Sequence, residues 1–306
     1  MAGPRRLAVT TTLSLAAFAW SCGGSPVAPS RPSQSIVFNG VPRTYTVHVP
    51  AGFPSRAGAL VIALHGAGDN GQSFERVSGL SFTADVAGFT VAYPDGLFNP
   101  NLGASDWEHY GDDFTDDVGF LRQLIAALST SVQFDPRRTY VVGFSDGGRL
   151  AHRAGVELSD LIAAIADVGG SLFLGGIPQP PHARAPVSVL ILHGDADSYC
   201  GAPRDASQDQ TFDYWTGVLG DNCLSVTPSA PLCDSVGVPT DVVDKIGQSC
   251  SGGSAVRLYR LVGGQHAWWG SLLNIPGQTP FNPDFDAGTG TTVNDIVWKF
   301  LAAHSR

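Results

Sequence analysis

The sequence predicts an α/β fold built on a doubly wound, mostly parallel β-sheet. Short apolar runs alternate along the chain with segments whose apolar residues recur at helical spacing, which is the pattern of repeated βα units. The runs are continuous, as in strands that are buried on both faces of a parallel sheet. They are Ala59–Leu64, Phe89–Tyr93, Thr139–Val142, Ala163–Val168, Val187–Leu192 and Val256–Val262.

An antiparallel hairpin is predicted before the first of these runs. Asn39 and Gly40 lie between the apolar segments Ile36–Phe38 and Arg43–Val49. Asn-Gly is the dipeptide that two-residue hairpin turns favour, because both of its residues tolerate a positive φ. We therefore expect the sheet to begin with two antiparallel strands.

Three helices are predicted from apolar residues at helical spacing, and one stretch lacks a regular pattern. Apolar residues over Val118–Leu128 recur at helical spacing behind Asp116, which stands where an N-cap acceptor belongs. Further helices are predicted over Leu150–Leu161 and Val293–Ala303. The stretch Tyr199–Gly253 breaks the alternation, and we predict an irregular insertion over the sheet edge rather than a separate domain.

Composition and charge exclude several classes of function. The 306 residues are 43% hydrophobic, which is too apolar for a disordered chain. The net charge is −9 and the only lysines are Lys245 and Lys299, so we expect no nucleic-acid partner, because binding phosphate requires basic residues. Acidic residues that precede the predicted helix are interpreted as its first turn and a solvated loop, with a calcium site as the alternative, and no metal is expected: Asp112, Asp113, Asp116 and Asp117.

A G-x-S-x-G motif marks the candidate nucleophile. Gly143, Ser145 and Gly147 form the only copy of this motif in the chain, between an apolar run and a helical pattern. This strand–turn–helix setting is the one that a nucleophile elbow requires. The serine takes a strained backbone conformation there, and the flanking glycines avoid a collision of side chains in the tight turn.

A serine hydroxyl needs a base, and the base needs a carboxylate that orients it. His266 follows the last apolar run in a Gly-rich loop and completes the order Ser–Asp–His that this kind of fold uses. Asp195 and Asp197 both follow the preceding run, and the fold allows either of them. His65 and His193, which precede glycines at strand ends, are expected to brace loops by hydrogen bonding.

The oxyanion hole and the substrate contacts are also assigned from loop positions. Two backbone N–H groups must face the developing negative charge. We assign them to Asp146, which follows the serine, and to Ala67, with Gly68 as the alternative. Aromatic residues on loops near this site are candidates for stacking on the substrate: Trp107, Tyr110, Trp268 and Trp269.

From Arg43 to the C-terminus, short motifs occur in the order found in one group of enzymes. These motifs include Leu64-His65-Gly66, Tyr93-Pro94-Asp95-Gly96, Asp116-Asp117-Val118-Gly119-Phe120, Asp135-Pro136-Arg137-Arg138, His193-Gly194-x-x-Asp197 and Gly263-Gly264-x-His266-x-Trp268. In them the chain resembles the secreted feruloyl esterase and polyhydroxybutyrate depolymerase-like α/β-hydrolases, often placed with carbohydrate esterase family one. The resemblance implies an α/β-hydrolase fold and a catalytic triad of Ser145, Asp197 and His266.

Cysteine parity predicts two disulfides in the body of the chain. Cys200, Cys223, Cys233 and Cys250 lie in one stretch without C-x-x-C spacing, which is atypical of zinc. Four cysteines allow three pairings. The resemblance implies a bond between Cys223 and Cys250, which leaves Cys200 with Cys233 in a disulfide-stapled insertion.

The N-terminal residues resemble an export signal. Arg5 and Arg6 precede the apolar stretch Leu7–Trp20. Ala17-Phe18-Ala19 is a site for ordinary secretion, whereas the sequence around Cys22 resembles a bacterial lipobox, in which that cysteine is lipidated. We expect a signal peptide over residues 1–22, a flexible tether over 23–35 and one α/β-hydrolase domain over 36–306. The location is then extracellular or the bacterial cell envelope, with a lipid anchor as the one membrane contact.

These observations predict an exported serine carboxylic-ester hydrolase that needs no cofactor. The favoured substrates are feruloyl-type esters of the plant cell wall. The nearest alternative is a depolymerase of polyhydroxybutyrate or another polyester, which would use the same residues. A non-catalytic surface lipoprotein is the alternative of a different class, and the presence of all three triad residues argues against it.

Replacing Cys22 tests the mode of export. If Cys22 is lipidated, Cys22→Ser should move the protein from the membrane fraction to the soluble fraction, because the acyl chains that hold it are lost. Cell fractionation followed by immunoblotting measures the shift. A mature N-terminus at Trp20, found by mass spectrometry of the unaltered protein, would instead establish ordinary secretion.

Overall fold

A computed structural model of the chain describes residues 32–51, 58–108, 115–172, 181–194, 196–197, 205–228, 242–261, 264–269 and 292–306. Several predictions fall on residues outside these ranges. They are the signal peptide, the lipidated cysteine, most of the tether, the Cys200–Cys233 bond and the placement of Tyr110 and Asp195.

The described elements alternate between strands and helices, as the sequence predicts. In chain order they are β1 (Gln34–Phe38), β2 (Val41–His48), β3 (Leu60–Leu64), α1 (Gly71–Ser78), α2 (Leu80–Ala87), β4 (Thr90–Pro94), β5 (Leu97–Asn99), β6 (Ala104–Asp106), α3 (Asp117–Ser131), β7 (Thr139–Phe144), α4 (Asp146–Glu157), β8 (Ala164–Val168), β9 (Ser188–Gly194), α5 (Asp205–Thr216), β10 (Ser225–Pro228), β11 (Val242–Gln248), β12 (Val256–Leu261) and α6 (Val293–Ala302).

A ten-stranded sheet organises the described part of the protein. Its order is β1-β2-β4-β3-β7-β8-β9-β12-β11-β10, and the strands from β4 to β12 run parallel. The hairpin β1–β2 turns at Asn39 and Gly40, whose φ angles are 48° and 79°, and β2 pairs antiparallel with β4. The predicted fold class, a doubly wound and mostly parallel sheet after an antiparallel hairpin, is confirmed.

Each face of the sheet is covered by a layer of helices. Leu60, Ile62 and Leu64 of β3 pack into one apolar cluster with α3, α4 and α5, while Val61 and Ala63 pack into the other with α1, α2 and α6. Because both faces are covered, every residue of β3, β4, β7 and β8 is buried. This explains why these strands have continuous apolar sequences rather than alternating ones.

The stretch Tyr199–Gly253 is more regular than expected where it is described. α5 packs on the sheet, and β11 and β10 continue the sheet beyond β12 with antiparallel pairing. The prediction of an irregular insertion is therefore wrong for these residues. The sequence of β11 contains the β-branched residues Val242, Val243 and Ile246, which favour a strand. Its hydrogen-bond partners are on the side of β12 that faces away from β9.

A disulfide closes the second half of this stretch. Cys223, after α5, is bonded to Cys250, just before β12, and the two are 27 residues apart in sequence. This is the pairing that the resemblance implies. The bond closes the loop that contains β10 and β11, so it restricts the unfolded chain as well as the folded one.

Asp221 lies close to this disulfide and is fully buried. Its Oδ1 accepts a hydrogen bond of 3.0 Å from Val187 N–H, and its main chain links the end of α5 to Ser251. Burial raises the pKa of this carboxyl to about 7. The folded protein therefore holds Asp221 protonated at pH values where the unfolded chain ionises it.

We expect Asp221 to make stability decline as the pH rises from about 4 to about 7. In this interval the unfolded chain loses the proton and the folded chain keeps it, so rising pH favours unfolding until both forms are ionised. Asp221→Asn mimics the protonated form and should reduce this decline. Melting temperatures measured from pH 4 to 8 check this. Parallel curves for the two proteins would contradict it.

Candidate active site

Ser145 lies in a sharp turn between β7 and α4. Its φ of 54° and ψ of −114° are rare for a residue with a side chain, and its N–H donates a 2.9 Å hydrogen bond to Val168 O. α4 begins at Asp146, four residues before the helix start predicted at Leu150. Gly147 and Gly148 are weak helix formers, so helix propensity does not predict the first turn of α4.

The glycines of the G-x-S-x-G motif are required by close backbone approaches. A Cβ on Gly147 would lie 2.6 Å from His65 O and would also collide with Leu64 O. A Cβ on Gly143 would overlap the backbone of Gly147. These glycines allow β3, β7 and α4 to meet at the serine, which is the geometry expected of a nucleophile elbow.

Ser145, His266 and Asp197 lie in one series of hydrogen bonds. The Oγ of Ser145 is 2.8 Å from His266 Nε2, and His266 Nδ1 is 2.7 Å from Asp197 Oδ2. Asp197 is 2% exposed, and its N–H donates to Gly194 O at the end of β9. In neutral His266 the Nδ1–H donates to the carboxylate, which leaves Nε2 to accept the serine proton.

The side chain of Phe144 packs against the imidazole of His266. Its ring stacks on His266 with centroids 5.0 Å apart and an interplanar angle of 29°. Because Phe144 directly precedes Ser145, the end of β7 fixes both the serine and one face of the histidine. Phe144 is not among the residues predicted from the sequence, although its position inside the motif is a signal for it.

His65 has the bracing role that the sequence predicts. It is fully buried, its Nδ1 lies 2.8 Å from Gly66 O, and its Nε2 accepts a 2.9 Å hydrogen bond from Gly96 N–H. Nδ1 therefore carries the proton. Burial also lowers the pKa of His65, which favours the neutral ring. This histidine holds the loop after β3 against the segment after β4.

That loop carries the candidate oxyanion donor Ala67, which is exposed beside the serine. A Cβ on the preceding residue, Gly66, would lie 3.3 Å from the Cβ of Ser145. The N–H of Gly68 donates to Ser105 O at 2.7 Å, so Gly68 is already engaged and Ala67 is the better candidate. The other predicted donor, Asp146, is the first residue of α4, where backbone N–H groups point out of the helix end.

Three of the four aromatic residues proposed as substrate contacts are buried instead. Trp107, Trp268 and Trp269 are 0%, 3% and 1% exposed. The indole N–H of Trp107 donates to His65 O, and that of Trp268 donates to Asn294 Oδ1. The expectation that these three rings stack on substrate is therefore not supported, because their faces are already packed. Loop position alone did not distinguish a packed indole from an open one.

Asp167, near the end of β8, is a further residue that is not among those predicted from the sequence. This carboxylate is fully buried in an otherwise apolar strand and lies 3.0 Å from His152 Nε2. A charged residue in a continuous apolar run was the signal, because such residues are rarely buried without a partner.

Neither a metal centre nor a membrane span is found in the described residues. Their His, Cys, Asp and Glu side chains do not gather in groups of three or more that could ligate a metal ion. Every helix among them is too short or too polar to cross a bilayer.

Comparison with known proteins confirms the resemblance drawn from the motifs. Residues 43–179 match the family described as Esterase PHB depolymerase. The putative esterase NocK of Nocardia uniformis subsp. tsuyamanensis is 34% identical over 178 residues, which are 56% of this chain and 50% of that protein. Feruloyl esterase B of Piromyces equi is 29% identical over 247 residues, 74% of this chain and 42% of that protein. The chain thus spans half or less of each relative.

The fold is likewise found among solved structures. The acetyl xylan esterase from Aspergillus awamori superposes with a TM-score of 0.58 at 14% identity, covering 78% of this chain and 94% of that one. An S-formylglutathione hydrolase from Agrobacterium tumefaciens gives a TM-score of 0.52 at 14% identity, covering 77% and 87%. The chain therefore has the α/β-hydrolase fold.

We expect Gly147→Ala to destabilise the protein by about 1–3 kcal/mol, because the new Cβ meets backbone carbonyls that cannot move aside. Thermal unfolding measures the loss. Gly155→Ala is the matched control on the same helix. Its Cβ would lie 3.2–3.3 Å from side-chain atoms of Ile165 and Trp215, with no backbone atom as close as those at Gly147, and alanine favours helix. Equal melting temperatures for the two variants would contradict the steric argument.

Proposed function

We propose that this chain, with its Esterase PHB depolymerase match and α/β-hydrolase fold, is a serine hydrolase of carboxylic esters. The observation that carries the proposal is the series of hydrogen bonds from Asp197 through His266 to Ser145. Each group in the series has the neighbour that its proposed role needs. A non-catalytic binding protein would have no use for this order of donors and acceptors.

The reaction proceeds through an acyl-enzyme. Ser145 Oγ attacks the ester carbonyl while His266 Nε2 takes the hydroxyl proton. The buried carboxylate of Asp197 stabilises the imidazolium that forms and keeps its ring oriented. The tetrahedral intermediate collapses, and His266 returns the proton to the departing alcohol. Water, activated by the same histidine, then releases the acid and restores the serine.

The backbone N–H groups of Ala67 and Asp146 would stabilise the oxyanion. A carboxylate next to a developing negative charge opposes catalysis unless it is held elsewhere. The side chain of Asp146 accepts a hydrogen bond from Trp107 N–H at 3.3 Å and lies 3.1 Å from Arg149 Nη1. These two contacts hold the carboxylate against a cation and a backbone donor. The backbone N–H of Asp146 is then the group that would donate to the oxyanion.

Feruloyl-type esters on plant polysaccharide are the proposed substrates. The name of the Piromyces equi relative, feruloyl esterase B, supports this class. The name of the matched family supports the second candidate, a polyester of the polyhydroxybutyrate type. The same three residues would hydrolyse either ester, so a panel of methyl ferulate, acetylated xylan, polyhydroxybutyrate film and short p-nitrophenyl esters tests the proposal and separates the classes.

Export to an oxidising compartment belongs to the same proposal. The disulfide between Cys223 and Cys250 supports it, because structural disulfides persist outside the reducing cytosol. Thiol titration under denaturing conditions, before and after reduction, tests whether the bond is present in the native protein.

We expect Ser145→Ala to fold normally and to lose hydrolysis of every ester in the panel by about 10³-fold or more, because the nucleophile is absent. Covalent labelling by a fluorophosphonate should disappear with it. Circular dichroism checks the fold. Retained labelling at another serine would overturn the assignment of the nucleophile.

Asp197→Asn should lower kcat by roughly 10²- to 10⁴-fold, because an amide does not fix the imidazole tautomer that accepts the serine proton. The matched control is Asp195→Asn, which alters the acidic residue two positions earlier in the sequence and should leave most of the activity. Steady-state kinetics on a p-nitrophenyl ester compares them. Greater damage from Asp195→Asn would mean that the two roles are exchanged.

A further inference from the structure

We propose that Asp167 is a positioning residue for the reaction: as a buried carboxylate oriented by His152 and Trp215, it fixes the turn that holds Ser145 and His266. The inference rests on the proposed function, because activity is its main readout. Asp167 does not touch the reacting atoms. It acts through Val168, which follows it directly, and through the next two residues of the chain.

The direction of the buried hydrogen bonds is set at Trp215. Its indole nitrogen can only donate, and it lies 3.0 Å from His152 Nδ1. Nδ1 must therefore accept, so the ring proton of neutral His152 is on Nε2 and points to Asp167 Oδ2, 3.0 Å away. All three side chains are fully buried. No other tautomer of the neutral ring satisfies both neighbours.

The second oxygen of Asp167 holds the backbone of the turn. Gly170 N–H donates a 2.7 Å hydrogen bond to Asp167 Oδ1. The same oxygen packs so closely on Gly148 that a Cβ there would overlap it. One carboxylate thus contacts a histidine in α4, the first turn of α4 and the turn after β8. Both oxygens receive hydrogens, which is the arrangement that suits an ionised carboxylate.

The turn that Asp167 fixes lies against the proposed triad. Val168 O accepts the N–H of Ser145 at 2.9 Å. Gly169 has a φ of 69°, and a Cβ on it would lie 3.3 Å from His266 Nδ1 and 3.7 Å from Asp197 Oδ2. Backbone atoms of this turn therefore define the space in which the histidine and its carboxylate meet. A small movement of Gly169 would change the distance between the base and the nucleophile.

Asp167→Asn tests this arrangement with almost no change of shape. The new amide can still accept from Gly170 with its oxygen, but its NH₂ then faces the Nε2–H of His152. His152 cannot turn to its other tautomer, because that would put Nδ1–H against the indole N–H of Trp215. Two donors then face each other in the core, and the turn must shift.

We expect Asp167→Asn to lower kcat for p-nitrophenyl acetate by about tenfold to 10²-fold, which is the effect of a displacement of about 1 Å in a catalytic group. KM should change less than twofold, since no substrate contact is altered. Asp221→Asn is the matched control, because it is another fully buried carboxyl that accepts a backbone N–H, and it should leave kcat unchanged.

Trp215→Phe supplies the discriminating variant. It removes the indole donor, so His152 can take the other tautomer and accept from the new amide. The double variant Asp167→Asn/Trp215→Phe should therefore have a higher kcat than Asp167→Asn alone, although loss of the indole lowers its melting temperature. A purely structural role predicts the opposite, a further loss of both activity and stability.

The outcomes separate this inference from the proposed function. Active wild type, a slow Asp167→Asn variant and a faster double variant support the inference. Active wild type with an unimpaired Asp167→Asn variant, or with no recovery in the double variant, overturns the inference and leaves the proposed function standing. A wild type that neither hydrolyses esters nor reacts with a fluorophosphonate at Ser145 overturns both.

Discussion

The backbone conformation of Ser145 is the constraint on which the rest of the site depends. A residue with a side chain at φ 54° and ψ −114° is strained by about 1–3 kcal/mol, so its surroundings must hold it there. Val168 O accepts a hydrogen bond from its N–H, α4 begins directly after it, and the glycines around it let β3, β7 and α4 approach one another. Together these contacts hold the turn that presents the hydroxyl to His266.

Several polar side chains are buried next to this turn. His65, His152 and Asp167 are fully buried beside strands that contain little but aliphatic residues. Each has hydrogen-bond partners that fix its orientation, which offsets the free-energy penalty of removing it from water. Through these bonds they hold backbone segments that lie next to Ser145.

The sequence was most informative where chemistry and periodicity agree. Strands that are covered on both faces have continuous apolar sequences and are easy to predict. Ser145 and His266 follow such strands, so their positions at the carboxyl ends of β7 and β12 could be predicted as well. Propensity failed at the start of α4, where glycines are selected for close packing rather than for helix formation. It failed again at β10 and β11, whose pairing depends on the distant edge of β12. The burial of Trp107, Trp268 and Trp269 is a property of tertiary packing that position on a loop does not reveal.

The proposed triad joins parts of the chain that are far apart in sequence. Ser145 and His266 are separated by 121 residues, and Asp197 and His266 by 69. The base follows β12, which must insert beside β9 before the histidine can reach the serine. A nascent or partly folded chain therefore has a nucleophile without its base. Ester hydrolysis, once established, would serve as a sensor of complete folding, because it begins only when the final parallel strand is in place.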